Sequence, residues 1–146
     1  MSYEALFDGR VRLARFARLA CAVLVACLVG PTARAQDLRW ISQFGTSGTD
    51  EAWSLAADGA GGFYAVGQTS GSLGGPNAGS VDVWLSRHGS AGGQQWILQL
   101  GSPASDGVRA VVSDVSGSVI AAGSTKGDLA GPSAGLYDVW IARYEF

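Results

Sequence analysis

Displaced by 56 positions, this chain falls on itself without a gap: residues 40–88 align with residues 96–144, and 20 of the 49 pairs are identical. The identities include Trp40/Trp96, Gln43/Gln99, Gly45/Gly101, Asp50/Asp106, Asp58/Asp114, Gly67/Gly123, Thr69/Thr125, Trp84/Trp140 and Arg87/Arg143. A period of this length marks stacked supersecondary units, none of which buries its apolar face alone. The chain is therefore a two-unit repeat, and its architecture has to be read before its chemistry.

Each unit alternates apolar stretches of strand length with glycine-rich punctuation, which predicts β-structure throughout. Four stretches recur: 40–44 with 96–100, 52–57 with 108–113, 63–69 with 119–125, and 82–88 with 138–144. Residues 58–61 (DGAG) and 114–117 (DVSG) join the second stretch to the third. In such a turn Asp bonds its own backbone and Gly supplies positive φ, so each pair reads as a hairpin. Residues 89–94 (GSAGGQ) make another tight turn, giving an antiparallel meander. Longer connections, 70–81 and 126–137, join the third stretch to the fourth. Loops of that length are often functional; the alternative is that Leu73 and Leu129 plug the core while the glycines satisfy the backbone.

The first 35 residues form a separate region. Arg10, Arg12, Arg15 and Arg18 precede the apolar run 19–30 (LACAVLVACLVG), and Ala33-Arg34-Ala35 supplies small residues at the spacing of a signal-peptidase site. The run is shorter than the ~20 residues a membrane span needs. A signal peptide at 1–35 and a mature domain at 36–146 are expected, placing the protein in the periplasm, at the cell surface or outside the cell. Leu24-Val25-Ala26-Cys27 also resembles a lipobox, so a lipoprotein anchored through Cys27 is the alternative. Both cysteines, Cys21 and Cys27, lie in this leader, which leaves the mature domain without thiol chemistry.

Without the leader, five basic residues face ten acidic ones, a formal charge of −5. An acidic body with no basic stripe repels phosphate backbones, so no nucleic-acid partner is expected.

The repeated pattern W-x-x-Q-x-G, then D, then D-x-x-G, then G-x-L-x-G-P-x-A-G and D-V-W resembles the bacterial β-propeller repeats known as SBBP repeats. The resemblance spans residues 40–144. It implies an all-β fold of two four-stranded antiparallel propeller blades in an exported or surface protein, with no catalytic residues to carry over. Labelled from the axis outward, the strands read D, ABCD, ABC, with the opening D at 40–44. Rings close with about four to eight blades. Two blades are therefore expected either to be completed by homo-oligomerisation, as a trimer, with the opening strand handed to the last blade, or to be a fragment of a larger propeller.

Converging catalytic groups are scarce. His88, the one histidine, corresponds to Tyr144 and reads as an exposed strand-end residue. No metal site, no cofactor and no enzymatic activity are expected. Asp58 and Asp114 read as turn formers, and Gln43/Gln99, Thr69/Thr125 and Arg87/Arg143 as partners of backbone groups or of Asp82/Asp138. The function expected is a binding module, for instance for glycans or a surface protein, with structural assembly as the alternative. In a meander the long loops share one end of the strands, so binding is assigned there to Asp50, Asn77, Asp106 and Ser133. Trp53, whose counterpart is Arg109, reads as a rim indole suited to stacking on a sugar.

Export is expected to leave a mature protein beginning at Gln36. Intact-mass measurement of the secreted material checks this; a retained Met1, or a diacylglycerol on Cys27, would contradict it.

Overall fold

The computed structural model describes residues 37–146. The expected signal peptide at 1–35, its expected cleavage site and Cys27 lie outside the described residues. Seven strands follow in order: β1 (Asp50–Ala57), β2 (Phe63–Thr69), β3 (Asp82–His88), β4 (Gln94–Leu100), β5 (Asp106–Ser113), β6 (Val119–Thr125) and β7 (Asp138–Tyr144). They make two antiparallel meanders, a four-stranded sheet β1-β2-β3-β4 and a three-stranded sheet β5-β6-β7. The described residues are all-β, with no helix.

Turn chemistry sets the hairpins. Asp58 Oδ1 accepts the Ala60 and Gly62 amides, each at 2.8 Å, and Asp114 Oδ1 accepts those of Ser116 and Ser118 at 2.8 and 3.1 Å. Gly61 and Gly117 hold φ of 91° and 84°, a left-handed backbone that a side chain would strain. The first strand of each repeat carries the same irregularity, a register shift between Ala52 and Ser54 in β1 and between Val108 and Ala110 in β5. That bulge sets Trp53 and Arg109 outside the pairing.

Alternation along the strands gives each sheet two faces. One face of the first sheet (Tyr64, Val66, Val83, Leu85) packs against Val108, Val111, Val119, Ala121 and Trp140 of the second, and this is the core. The second sheet meets the first through β5, which lies against β1 and β2. Val66, Leu85, Val108 and Val119 are fully buried, each contributing roughly 1.5–3 kcal/mol. The Val111 amide donates to Ser54 Oγ at 3.3 Å, and the Tyr64 hydroxyl to the Gly117 carbonyl at 3.2 Å, pinning one sheet to the other.

The opening strand expected at 40–44 is not formed. Its counterpart β4 lies along β3 in register from Leu100 to Gln94, whereas residues 40–44 have no strand beside them among the described residues. Without a ladder they keep an irregular backbone. Their aromatic rings lie instead on the face of the first sheet turned away from the second: Trp40 stacks on Phe63 at 5.8 Å, and Phe44 meets Trp84 edge-on at 5.6 Å.

Gly67 sits where the sheet is tightest. A β-carbon there would overlap the Glu51 carbonyl oxygen and the Trp84 indole. Gly67→Ala is therefore expected to destabilise the fold by about 3 kcal/mol, the upper range for overpacking. Urea denaturation followed by tryptophan fluorescence checks this; an unchanged midpoint would contradict it.

Candidate functional site

Strand registers bring the long loops to one end. Asp50, Thr69, Asp82 and Leu100 lie at the same end of the first sheet, and Asp106, Thr125 and Asp138 at the matching end of the second. A parallel bridge between Val81 and Ser105 joins the two ends, with the Asp106 amide donating to the Val81 carbonyl at 2.8 Å. Asp50, Asp106, Asn77 and Ser133 thus belong to one loop end, whereas Trp53 lies further along β1 at its bulge.

Two aspartates anchor this end in the same way. Asp50 accepts the Thr46 amide at 2.6 Å and the Thr69 hydroxyl at 2.6 Å. Asp106 accepts the Ser102 amide at 2.6 Å and the Thr125 hydroxyl. Thr69 and Thr125 in turn accept the Gly71 and Gly127 amides, each at 2.9 Å. Asp106 is wholly buried and Asp50 half-buried. Desolvation, the largest single influence on Asp50, pushes its carboxyl up. The Thr69 hydroxyl and the Thr46 amide and hydroxyl outweigh it, holding the group below the usual carboxylate range.

The loop residues are engaged locally as well. Asn77 Oδ1 accepts the Gly79 amide at 2.8 Å, and its Nδ2 donates to the Gly71 carbonyl at 3.4 Å. Ser133 Oγ donates to the Gly135 carbonyl at 3.0 Å. Trp53 is half-exposed, and the Arg109 guanidinium lies 4.9 Å over its ring. The position where one repeat places an indole and the other a guanidinium is thus a stacked pair, a geometry in which cation and ring face attract.

The most specific polar site is a glutamine socket. Gln99 of β4 reaches across β3 into loop 70–81, where its Oε1 accepts the Leu73 and Gly74 amides at 2.8 and 3.1 Å. Its Nε2 donates to the Gly71 carbonyl at 2.9 Å and to Asp82 Oδ2 at 2.8 Å. Asp82, fully buried, also accepts the Ala78 amide at 2.8 Å. Sequence reasoning gave Gln99 a structural partner in Asp82 but did not see that one amide closes the whole loop.

Two expectations are corrected. His88 is buried, not exposed. It stacks on Phe63 at 4.9 Å, with Nε2 2.9 Å from Ser86 Oγ and Nδ1 3.3 Å from the Gly92 carbonyl. That carbonyl only accepts, so Nδ1 carries a proton and donates to it. No carboxylate orients the ring, as a Ser-His-Asp arrangement would need. The signal missed was the strand alternation that puts Trp84, Ser86 and His88 on one face. Arg87 and Arg143, in turn, pair with the hairpin aspartates Asp58 and Asp114 at 2.9 and 3.2 Å, rather than with Asp82 and Asp138. The Ala60 amide and then Arg87 hold the Asp58 carboxyl below its ordinary range, and the Ser116 hydroxyl leads the same effect on Asp114.

Among the described residues no three His, Cys, Asp or Glu side chains cluster as metal ligands, and no helix is long and apolar enough to cross a membrane. No protein-family model matches the chain, and no curated protein matches it either.

Asp50, Asp58 and Asp114 share a pH consequence. Each has a carboxyl depressed by folding, so the native state binds fewer protons than the unfolded one as pH falls through the unfolded carboxylate value near ~4. Their stabilisation is complete above that value and is lost as pH falls through the depressed native values. Urea midpoints are expected to stay level from about pH 7 to pH 5 and to fall below about pH 4, with a shallower fall in Asp58→Asn. A midpoint that rises on acidification would contradict this.

Proposed function

We propose that this chain is a non-enzymatic assembly module of the propeller-repeat kind, exported from a bacterial cell, whose copies stack head to tail into a ring. One observation carries the reading. The face of the second sheet turned away from the first consists of Val112, Ile120, Ala122, Val139 and Ile141. These are the repeat counterparts of Ala56, Tyr64, Val66, Val83 and Leu85, the face that the first sheet buries against the second. Val139 is 81% exposed and Ile141 71%. Val83 and Leu85 are core in the first repeat, whereas their counterparts Val139 and Ile141 are exposed in the second.

The complementary face lies at the opposite side of the chain. Ala52, Leu55, Phe63, Ala65 and Trp84 of the first sheet line an apolar cavity of about 450 Å³. They correspond to Val108, Val111, Val119, Ala121 and Trp140, which the second sheet turns toward the first. The second sheet's half of such a contact is exposed at Val112, Val139 and Ile141, and the first sheet's half is lined by the chain's own Trp40 and Phe44, with Ala52 and Leu55 exposed beside them. A contact between unlike surfaces repeats from copy to copy and closes when the rotation fits. With two sheets per chain, a trimer gives six, within the roughly four to eight of propeller rings. The likeness of the repeats to SBBP blades supports the same geometry.

The polar groups first assigned to ligand binding fit this reading, since Asp50, Asp106, Asn77 and Ser133 all close their own loops. Sugar stacking is a second reading, favoured by one feature, the half-exposed Trp53 indole.

Light scattering on the exported protein at micromolar concentration is expected to give a discrete oligomer, a trimer. Ile141→Glu places a charge on the bare face and is expected to yield folded monomer, with a circular dichroism spectrum like the parent's. A parent protein that is a folded monomer would overturn the assembly reading. A glycan array whose binding is lost in Trp53→Ala with the oligomer intact would favour the second reading.

A further inference from the structure

We infer that residues 40–44 of one copy pair with β7 of a second copy as a fourth strand of its second sheet, and that Gln43 enters a socket beside that strand. This rests on the head-to-tail reading above and specifies the contact within it. The acceptor is read by displacement of 56 residues. In the first repeat Gln99 bonds the backbone of Gly71, Leu73 and Gly74 and the carboxylate of Asp82. Their counterparts Gly127, Leu129, Ala130 and Asp138 line a cavity of about 170 Å³ beside Trp140.

The second repeat arranges the corresponding backbone bonds differently. In the first repeat the glutamine accepts from the Leu73 amide and donates to the Gly71 carbonyl; in the second, the Leu129 amide turns back onto the Gly127 carbonyl at 3.0 Å. Such a bond across two residues has poor geometry compared with a positioned side-chain amide. Asp138 Oδ2 accepts the Ala134 amide at 2.7 Å, as Asp82 accepts that of Ala78, so the carboxylate already has its working orientation.

A second observation comes from Gly135. A β-carbon on its counterpart Gly79 would collide with the backbone of Ser102 and Pro103, whereas one on Gly135 would meet open space. The counterparts of Ser102 and Pro103 are Thr46 and Ser47, directly after the donor segment. One departure is Ala130 in place of Gly74, which lies against the Leu98 backbone; the incoming strand sits slightly further out there.

The donor comes from a second copy because the chain's own segment cannot arrive. Trp40 and Phe44 lie on the face of the first sheet opposite the second. Thr46 and Thr49 are hydrogen-bonded to Asp50 and Ser70, which fixes the exit. A second copy that stacks its bare face onto that surface meets the segment already in place. Gln43 is exposed, and the segment's sequence, W-I-S-Q-F-G, matches the W-I-L-Q-L-G of β4 at the tryptophan, isoleucine, glutamine and glycine.

The β3–β4 register sets Leu85 opposite Leu98, which places Ile141 opposite Ser42 between copies. The test uses full-length chains with Cys21→Ser and Cys27→Ser, one carrying Ser42→Cys and the other Ile141→Cys. Mixed and mildly oxidised, they are expected to form a disulfide-linked heterodimer. The pairing of Ser42→Cys with Ala142→Cys, whose side chain leaves the opposite face, should give at least tenfold less. Gln43→Ala in the donor should lower the yield at least tenfold without altering its circular dichroism. An oligomer with no 42–141 link, or a link indifferent to Gln43→Ala, would overturn strand exchange while leaving face stacking intact; a monomer would overturn both. Should a cysteine variant misfold, a peptide of residues 39–45 decides with the unsubstituted protein. It should dissociate the oligomer where its Gln43→Ala form does not, and equal or absent effects of the two would overturn the inference.

Discussion

The packing of one repeat's sheet against the next repeat's opposite face is a contact between unlike surfaces, and the rest of the structure depends on it. Val66, Val83 and Leu85 on one side and Val108, Val119 and Trp140 on the other form the core. Neither sheet is apolar on one face only, as an ordinary sandwich sheet would be. Phe63, Ala65 and Trp84 continue the apolar character through the first sheet, as Ile120, Val139 and Ile141 do through the second. Burying one face therefore creates, in the same strands, a second face with the same requirement. Free energy of burial scales with area removed from water, so a two-repeat chain stays incompletely buried however well its internal contact packs.

Polar groups set the geometry within which that burial occurs. Asp50 and Asp106 sit where a loop arrives at a first strand, each tying an incoming amide to a hydroxyl on the neighbouring strand. Leaving such a buried donor unpaired costs about 1–3 kcal/mol, so these knots fix where each loop turns. They also explain why the loop end offers little free hydrogen-bonding capacity. Asn77 and Ser133 spend theirs on Gly79 and Gly135.

The period, the hairpins and three of the four recurrent stretches were legible in the sequence because each is a local signal. Phe63–Thr69, Asp82–His88, Val119–Thr125 and Asp138–Tyr144 are strands with the boundaries read from alternation and punctuation. Residues 40–44 failed because strand formation is not local: the same W-x-x-Q-x-G segment is β4 beside β3 and irregular where no ladder is offered. His88 was misread for a related reason. Comparison with Tyr144 suggested tolerance and hence exposure, but both residues lie on the same face of their sheets, where His88 is covered by Phe44 and Phe63 while Tyr144 packs against the core between the sheets. Arg87 was read as a partner of backbone groups or of Asp82, although the antiparallel register carries it to the hairpin aspartate at the opposite end of its strand. Of the candidate site, the shared end of the long loops was readable from meander topology. The socket of Gln99 was not, since it joins three segments that only the β3–β4 register brings together.

Open strand edges normally recruit any extended chain, which is why proteins charge or cover them. The β7 edge carries apolar Val139 and Ile141 on one side and is flanked by Arg143 and Glu145, joined at 3.2 Å. Backbone pairing alone would accept many sequences. The matching socket, as Gln99 fills it in the first repeat, does not: it presents two amides, a carbonyl and a carboxylate to one side chain, a set that matches a primary amide and mismatches an acid or an aliphatic group. Close backbone approach adds a second requirement two residues later, because Gly101 lies against the Asp82 carboxylate with no room for a β-carbon. A strand must therefore carry glutamine and then glycine at fixed spacing. Gln43 and Gly45 meet that condition, which is why the proposed pairing of residues 40–44 with β7 would be selective where backbone pairing alone is not.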